Sequence, residues 1–173
     1  MTQEEAPTRQ ATQEISDFAE IAEEFNKRVA RIVWCTVATV DAKGRPRTRI
    51  LHPIWEANGQ GGVVGYIATN RHSYKERHIA ANPGVSLSYW DQQHEQVYVD
   101  ATADWLDSAK EKQRIWDFFK ETPPPYGYDP ALIWREGLED SDFGVLRLKP
   151  RRIELFGIAD LMAGRAPRVW RAD

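Results

Sequence analysis

Four side chains of the kinds that bind phosphate occur in one predicted strand and around the start of one predicted helix. Arg49 supplies a guanidinium, Lys75 an ammonium, and Thr69 and Ser73 supply hydroxyls. A phosphate carries close to two negative charges, so it is held by cations and short hydrogen-bond donors that converge on one point. A helix that begins near Ser73 adds free backbone N–H groups and the positive end of its dipole. These residue types are compatible with a phosphate site, although an isolated strand arginine or first-turn lysine is more often a surface residue.

The pattern of turns and apolar residues predicts how strands bring these groups together. β-rich runs at 33–40 and 47–55 flank the turn 41–44, and a third run at 63–68 follows a glycine-rich turn. In such a meander the second and third strands are neighbours, so Arg49 is expected to face the end of the third strand, where Thr69 lies. The segment 73–81 is predicted to be a short helix, because Asn-Pro-Gly follows it.

The remaining pattern predicts a domain that is mainly β with flanking helices. Apolar residues spaced by three and four predict a helix from Ser16 or Asp17, and a second helix is expected from Asp107 or Ser108 to Glu121. Further strands are predicted at 85–90, 96–105, 143–149 and 152–156. Six or seven strands with few helices favour an antiparallel split β-barrel. The expected division is a disordered tail at 1–14, one domain at 15–165 and a C-terminal tail at 166–173.

Composition and motifs argue against several classes of function. The net charge of −3 favours no nucleic acid partner, and the mean hydropathy of −0.60 without a long apolar run indicates no membrane span. The polar N-terminus lacks the pattern of a secretory signal, so a cytoplasmic protein is expected.

His72 and His78 do not share a helix face, and no cluster has zinc spacing. No phosphate loop of the P-loop type and no serine nucleophile elbow is present. The single cysteine, Cys35, is expected to be buried and inert.

Basic residues also gather late in the chain. This group could help to hold an anionic cofactor or a partner subunit, although most such runs are solvated. Its members are Arg147, Lys149, Arg151, Arg152, Arg165, Arg168 and Arg171.

Several stretches resemble the pyridoxamine 5′-phosphate oxidase family. The segment 69–87, TNRHSYKERHIAANPGVSL, is similar to the cofactor-binding stretch of that family. The segment 44–51, GRPRTRIL, resembles its second strand, and 95–99, EQVYV, resembles the strand whose glutamine contacts the flavin ring. The segment 146–154, LRLKPRRIE, resembles its closing strands. These matches keep the family order from about residue 33 to residue 156.

The resemblance implies an FMN site, a small-molecule substrate and a homodimer with the cofactor at its interface. It places the phosphate near Arg49 and Lys75, and it places Ile50 and Leu51 along the ring with Gln96 at the ring edge. No catalytic acid or base is identified, and no metal is expected. The implied cofactor-binding residues are Arg49, Ile50, Leu51, His52, Thr69, Ser73, Tyr74, Lys75 and Gln96.

The sequence also departs from the family pattern. Tyr74 stands where the oxidases usually have a second basic residue, and the C-terminal motif that grips the vitamin phosphate is missing after Phe156. Pyridoxine phosphate is therefore not the expected substrate. Three functions stay open: an FMN-dependent oxidoreductase, a deazaflavin-dependent reductase, and a non-catalytic flavin- or haem-binding protein. An insertion at 122–142, with Tyr126, Tyr128 and Trp134, is expected to form a lid or to contact a partner subunit.

Overall fold

The computed structural model describes residues 12–172, which form nine strands and four α-helices. Two 3₁₀ turns, Pro130–Leu132 and Gly137–Glu139, lie in the predicted insertion. The elements in chain order are β1 (Gln13–Ile15), α1 (Ala19–Ile32), β2 (Cys35–Val40), β3 (Pro46–Leu51), β4 (Ile54–Ala57), β5 (Val63–Asn70), α2 (Tyr74–Ala81), β6 (Gly84–Trp90), β7 (Glu95–Trp105), α3 (Ala109–Glu121), β8 (Phe143–Gly157), α4 (Ile158–Met162) and β9 (Arg168–Arg171).

The strands form one mixed sheet in the order β1-β9-β8-β7-β6-β2-β3, with β5 paired to the first half of β8 and β4 paired to β5. Only the pairing of β1 with β9 is parallel within this sheet of the described residues. The domain is therefore mainly β with helices, as predicted, but it has nine strands and not six or seven. The predicted strands 143–149 and 152–156 are one continuous strand, β8, whose pairing with β7 shifts register at Asp100 and Ala101.

The predicted meander is wrong at its second step. The run 47–55 is two strands, because Pro53 lacks a backbone N–H and restricts the backbone of His52, so pairing stops there. Within residues 12–172, β3 pairs with β2 alone, whereas β5 pairs with β4 and β8. Arg49 in β3 thus does not face Thr69 across neighbouring strands. The hairpin of β2 and β3 is confirmed, and the Asp41 carboxylate closes its turn by accepting from the backbone N–H groups of Lys43 and Arg45.

The helices cover two apolar clusters. Helix α1 packs Ile21, Phe25 and Val29 into the main core, where the Phe25 ring meets the Trp55 ring edge-on at 5.4 Å. Helix α3 places Ile115 and Phe119 in a second cluster, which also contains residues of β5, β8 and the segment after α3. The backbone at the start of α3 is capped by the Ser108 hydroxyl, as predicted. The second cluster thereby fixes the position of the segment that follows α3.

The ends of the described chain belong to the sheet. β1 and β9 pair with each other, so part of the predicted C-terminal tail 166–173 is a strand. Residues 1–11 of the predicted tail 1–14 lie outside the described residues. No helix between residues 12 and 172 has the length and apolar character needed to cross a membrane. Cys35 is buried as expected, and burial raises the pKa of its thiol to about 12.

Candidate functional site

Arg49 lies on the inner face of β3, opposite the buried Val37 of β2. Its Nη1 donates to the Thr39 hydroxyl at 2.8 Å, to the carbonyl of Arg47 at 2.8 Å and to the carbonyl of Val37 at 3.3 Å. These three bonds use only one nitrogen of the guanidinium, so Nε and Nη2 remain available for a ligand. The protein therefore fixes the orientation of this side chain and leaves part of its donor capacity unused.

Thr39 links Arg49 to helix α2. The guanidinium can only donate, so the Thr39 oxygen accepts from it, and the same hydroxyl is hydrogen-bonded to His78 Nδ1, 2.9 Å away. The chain Arg49–Thr39–His78 ties the edge hairpin to the helix that carries Lys75, although the sequence analysis did not single out Thr39. The register of the hairpin, which puts Thr39 opposite Arg47, is the signal that indicates it.

Lys75 lies in the first turn of α2, and its side chain is buried apart from 9% of its surface. Burial lowers the pKa of its ammonium, and the nearby positive charge of Arg49 lowers it further. The pKa of Arg49 is also lowered by burial. No ion pair within residues 12–172 involves either side chain, so the structure brings together two partly desolvated cations without a carboxylate. Such a pair is unfavourable until an anion neutralises it.

The other residues predicted around the phosphate surround the start of α2. Ser73 occupies the N-cap position and its hydroxyl donates to the carbonyl of Asn70 at 3.0 Å, so it does not cap the helix with its side chain. Tyr74 points outward with 78% of its surface exposed. Thr69 is buried at the end of β5 and lines a neighbouring cleft. Arg49 and Lys75 lie close enough for their charges to repel each other, while Thr69 belongs to the wall of this cleft.

The cleft has a volume of about 620 Å³ and lies between the start of β2, the end of β3, the end of β5 and the insertion. It contains Leu51, His52 and Thr69 from the predicted set. Most of its other walls are apolar or aromatic, and two carboxylates stand at one side. Its lining residues are Trp34, Leu51, His52, Ala68, Thr69, Asn70, Pro125, Tyr128, Leu132, Ile133, Trp134, Asp140 and Asp142.

His52 is held in one tautomer at the back of this cleft. Its Nε2 lies 2.7 Å from the carbonyl oxygen of Tyr126, which can only accept, so Nε2 carries the hydrogen. Its Nδ1 is then an acceptor and has no partner between residues 12 and 172. Burial lowers the pKa of His52, although the bond to the Tyr126 carbonyl opposes this shift. The imidazole is therefore neutral near neutral pH.

The insertion is anchored against the core on the side of His52. The Tyr126 hydroxyl accepts from the backbone N–H of Trp55 at 2.7 Å, and the Tyr128 ring lies 5.1 Å from the His52 ring. Gly127 is required between them, because a Cβ at this position would lie 1.9 Å from the carbonyl oxygen of Thr122. The predicted insertion thus forms a wall of the cleft, through Tyr128 and Trp134.

Gln96 lies on the other face of the sheet from Arg49. Directly paired residues share a face of the sheet. Tyr98 pairs with Ser88, Ser88 with Thr36, and Thr36 with Ile50, so Tyr98 and Ile50 lie on the same face. Gln96 is two positions from Tyr98 along β7 and therefore lies on that face as well. Arg49 points inward, one residue from Ile50. Three inter-strand spacings, about 14 Å, separate β7 from β3. Gln96 and Arg49 of one chain therefore cannot contact the same small ligand through the sheet.

A second cleft, of about 1100 Å³, lies near the turn between β4 and β5 and contains part of the late basic group. Each of its cations has a carboxylate partner. Arg147 Nη2 is 2.5 Å from Asp104, Lys149 Nζ is 3.6 Å from the same residue, and Arg171 Nη1 is 2.5 Å from Glu14. These charges are already neutralised, which distinguishes this cleft from the site of Arg49 and Lys75.

In the described part of the chain, no three His, Cys, Asp or Glu side chains are grouped so that they could hold a metal ion.

Comparison with known proteins identifies relatives of this chain. The family model described as pyridoxamine 5′-phosphate oxidase matches residues 21–157. A pyridoxine/pyridoxamine 5′-phosphate oxidase of Pseudomonas entomophila (strain L48) is 35% identical over 89 residues, which are 51% of this chain and 38% of the relative. The matched region thus spans less than half the length of that curated relative.

Solved structures share the fold at low sequence identity. A Clostridium acetobutylicum protein related to general stress protein 26 has a TM-score of 0.65 and 14% identity, with 80% of this chain and 89% of that chain covered. An FMN-binding protein of Nostoc punctiforme, related to pyridoxamine 5′-phosphate oxidase, has a TM-score of 0.56 and 19% identity, with 82% and 83% covered. Campylobacter jejuni ChuZ has a TM-score of 0.62 and 15% identity, with 83% and 58% covered.

Proposed function

The chain belongs to the pyridoxamine 5′-phosphate oxidase family, and from this premise we propose that it is an FMN-dependent oxidoreductase. The observation that carries the proposal is the juxtaposition of Arg49 and Lys75. Both cations are partly desolvated, and the lowered pKa of Lys75 reflects burial and Arg49 with no compensating carboxylate among the described residues. A phosphate dianion would neutralise both charges at once.

The donors present fit a phosphate ester. Arg49 has two unused guanidinium nitrogens, Lys75 has an ammonium, and the first turn of α2 has free backbone N–H groups. Ser73 stands at that helix start and can turn its hydroxyl toward an anion. The contact of Thr69 with the phosphate remains a prediction, because its side chain lines the cleft.

The protein's own residues would bind and orient the cofactor and shield the reacting centre from water. When bound, FMN would supply the capacity to accept or donate a hydride. Leu51 and His52 connect the cation pair to the cleft, where the aromatic wall from the insertion excludes water. We assign no catalytic acid or base. The neutral His52 would position a ligand through Nδ1.

We further propose that a homodimer completes the site. Gln96 was predicted at the edge of the flavin ring, yet its own chain places it across the sheet from Arg49. A second copy packed on the outer face could bring its Gln96 to a ligand at the edge strand β3. The exposed Ile50 and Trp90 on this face support such packing.

Binding of FMN compared with riboflavin tests the proposal, because riboflavin has the same ring and no phosphate. We expect FMN to bind at least about tenfold more tightly, the value of one charge-assisted interaction. Equal affinities would contradict the phosphate site. Tighter binding of a deazaflavin coenzyme than of FMN would favour the deazaflavin-dependent reductase.

Reduction of the loaded protein tests the activity separately. FMN-loaded protein mixed anaerobically with NADH or NADPH should lose its flavin absorbance, and the absorbance should return with oxygen. A flavin that binds but is not reduced by either donor would contradict the oxidoreductase and favour a flavin-binding protein.

A further inference from the structure

The cleft beside the cation pair has the opposite electrostatic character. Among the described residues that line it, none is a lysine or arginine, and the charged groups are the carboxylates of Asp140 and Asp142. His52 adds no charge, because its imidazole is held neutral. Neither carboxylate has an ion-pair partner in the part of the chain that the structure describes. The net charge of the lining is therefore negative.

The buried polar groups of the cleft also favour one kind of ligand. His52 is 7% exposed and presents Nδ1 as an acceptor without a protein partner, and Thr69 is 7% exposed with a hydroxyl that bonds to no residue in 12–172. Both line the cleft. An acceptor without a donor, such as His52 Nδ1, is satisfied by an N–H or O–H group of a ligand, whereas the Thr69 hydroxyl can accept or donate. A carboxylate or phosphate ligand would instead face the lone pair of His52 Nδ1 and the negative charge of Asp140 and Asp142.

The remaining walls are suited to a flat apolar ring. Trp34 is 59% exposed at the mouth of the cleft, and Tyr128 and Trp134 form the wall from the insertion. Aromatic faces attract cations as well as rings, so these walls and the carboxylates favour the same ligand.

We propose that this cleft binds the substrate of the enzyme and that the substrate is an aromatic compound with an amine that is protonated, not an anionic phosphate ester. The proposal rests on the proposed function, since it treats the cation pair as the cofactor's phosphate site and the cleft as the place of the second ligand. The carboxylates attract the ammonium, His52 Nδ1 accepts one of its hydrogens, and the ring lies against Trp34 and Tyr128.

Three probes of one skeleton test the charge preference: 2-naphthylmethylamine, 2-naphthylmethanol and 2-naphthoate. Their dissociation constants are measured by calorimetry on the full chain, with and without saturating FMN. We expect the amine to bind about tenfold more tightly than the alcohol and the carboxylate to bind most weakly. Equal binding of the three, or tighter binding of 2-naphthoate, would overturn the proposal. Displacement of the amine by FMN would also overturn it, because the cleft would then belong to the cofactor.

Matched variants assign the preference to the cleft. Asp140→Asn with Asp142→Asn keeps side-chain size, and the new amide oxygen at position 140 could still accept from the backbone N–H of residue 142 as the Asp140 carboxylate does. This double variant should lose most of the preference for the amine over the alcohol. Glu23→Gln with Asp117→Asn makes the same change of net charge away from the cleft and should keep the wild-type ratio. A preference retained in the first pair, or lost in the second, would contradict the assignment.

Trp34→Leu separates ring recognition from charge. Trp34 is largely exposed, so this change should leave the fold intact and weaken all three probes by a similar factor. Unchanged affinities would contradict the place assigned to the ring. FMN binding distinguishes the two proposals: normal FMN binding without a charge preference removes only the substrate proposal, and a charge preference without FMN binding removes only the cofactor proposal.

Discussion

Two parts of this molecule are rich in positive charge, and they differ in how that charge is compensated. In the cleft near the β4–β5 turn, Arg147, Lys149 and Arg171 each lie near a carboxylate. Beside helix α2, Arg49 and Lys75 lie near each other and near no carboxylate within residues 12–172. The larger cleft has more cations, but Arg49 and Lys75 are the pair that no carboxylate among the described residues neutralises.

The difference shows why a count of basic residues does not locate an anion site. A paired surface cation contributes little and attracts little, because its partner already occupies the best position for a counter-charge. A desolvated cation without a partner raises the energy of the free protein, and a bound anion removes that cost. The comparison can be tested by making the same substitution in both regions.

The largest effect is expected on cofactor affinity. Lys75→Met keeps the length of the side chain and removes its charge, so FMN affinity should fall by about 10- to 150-fold, the value of a hydrogen bond to a charged group. Lys149→Met removes the same charge from the paired region and should change affinity less than about threefold, because an exposed, paired cation contributes little. Fluorescence titration with FMN measures both.

The comparison would fail if the two methionine variants lost affinity equally, since general attraction would then explain binding. Riboflavin serves as the internal control, because its binding should be unaffected by either change. A loss of riboflavin affinity in Lys75→Met would indicate damage to the ring site instead.

Local features of the fold could be predicted from the sequence. The hairpin around Asp41–Gly44, the helix over Tyr74–Ala81 and the strands β6 and β7 follow from turn residues and periodicity. Pairing between distant strands could not be predicted in this way, because β5 finds β8 far later in the chain. The break at Pro53 was visible in the sequence, but the partner that β4 takes after it depends on packing of the whole sheet.

A second effect is expected on the stability of the cofactor-free protein. Lys75→Met removes a buried charge and its repulsion with Arg49, so the variant should melt about 2–4 °C higher, the shift for about 1 kcal/mol in a domain of this size. Lys149→Met should change the melting temperature by less than about 1 °C, because its charge is exposed and already paired. Differential scanning calorimetry without FMN checks this.

With FMN bound, wild type should be more stable than Lys75→Met. Wild type at a free FMN concentration of about 100 times its Kd should gain about 2.7 kcal/mol, whereas Lys75→Met at the same concentration should gain far less. A cofactor-free Lys75→Met protein less stable than wild type would mean that Lys75 has a counter-ion.

The candidate site was predictable in part, and the reason lies in side-chain direction. Arg49 and Thr69 were predicted to meet through a pairing of β3 with β5 that does not exist, whereas the Thr39–His78 bond links the hairpin of Arg49 to the helix of Lys75. Asp140 and Asp142 were not identified, because the position of the insertion over the cleft depends on aromatic packing around Phe119 and Tyr128. Residue type indicated the chemistry, and tertiary packing decided the distances.

The smallest effect is the pH dependence of stability without cofactor. The pKa of Lys75 is lowered in the folded state, so between that lowered value and its ordinary value near 10.5 the unfolded chain holds more protons on this residue. Stability should therefore rise with pH across that interval. The raised pKa values of Tyr66 and Tyr128 act oppositely above about pH 10, because the unfolded chain then loses protons first.

The measurement is thus the difference in melting temperature between wild type and Lys75→Met, followed from about pH 8 to about pH 10. The advantage of Lys75→Met should shrink as pH rises, by about 1–2 °C, while Lys149→Met follows wild type throughout. Saturating FMN should abolish the contribution of Lys75 to the pH dependence of the wild-type melting temperature, because a bound dianion restores the pKa of Lys75 toward its ordinary value. A constant difference across this range would show that Lys75 keeps its charge at no cost, and the contrast between the two basic regions would then be one of geometry and not of compensation.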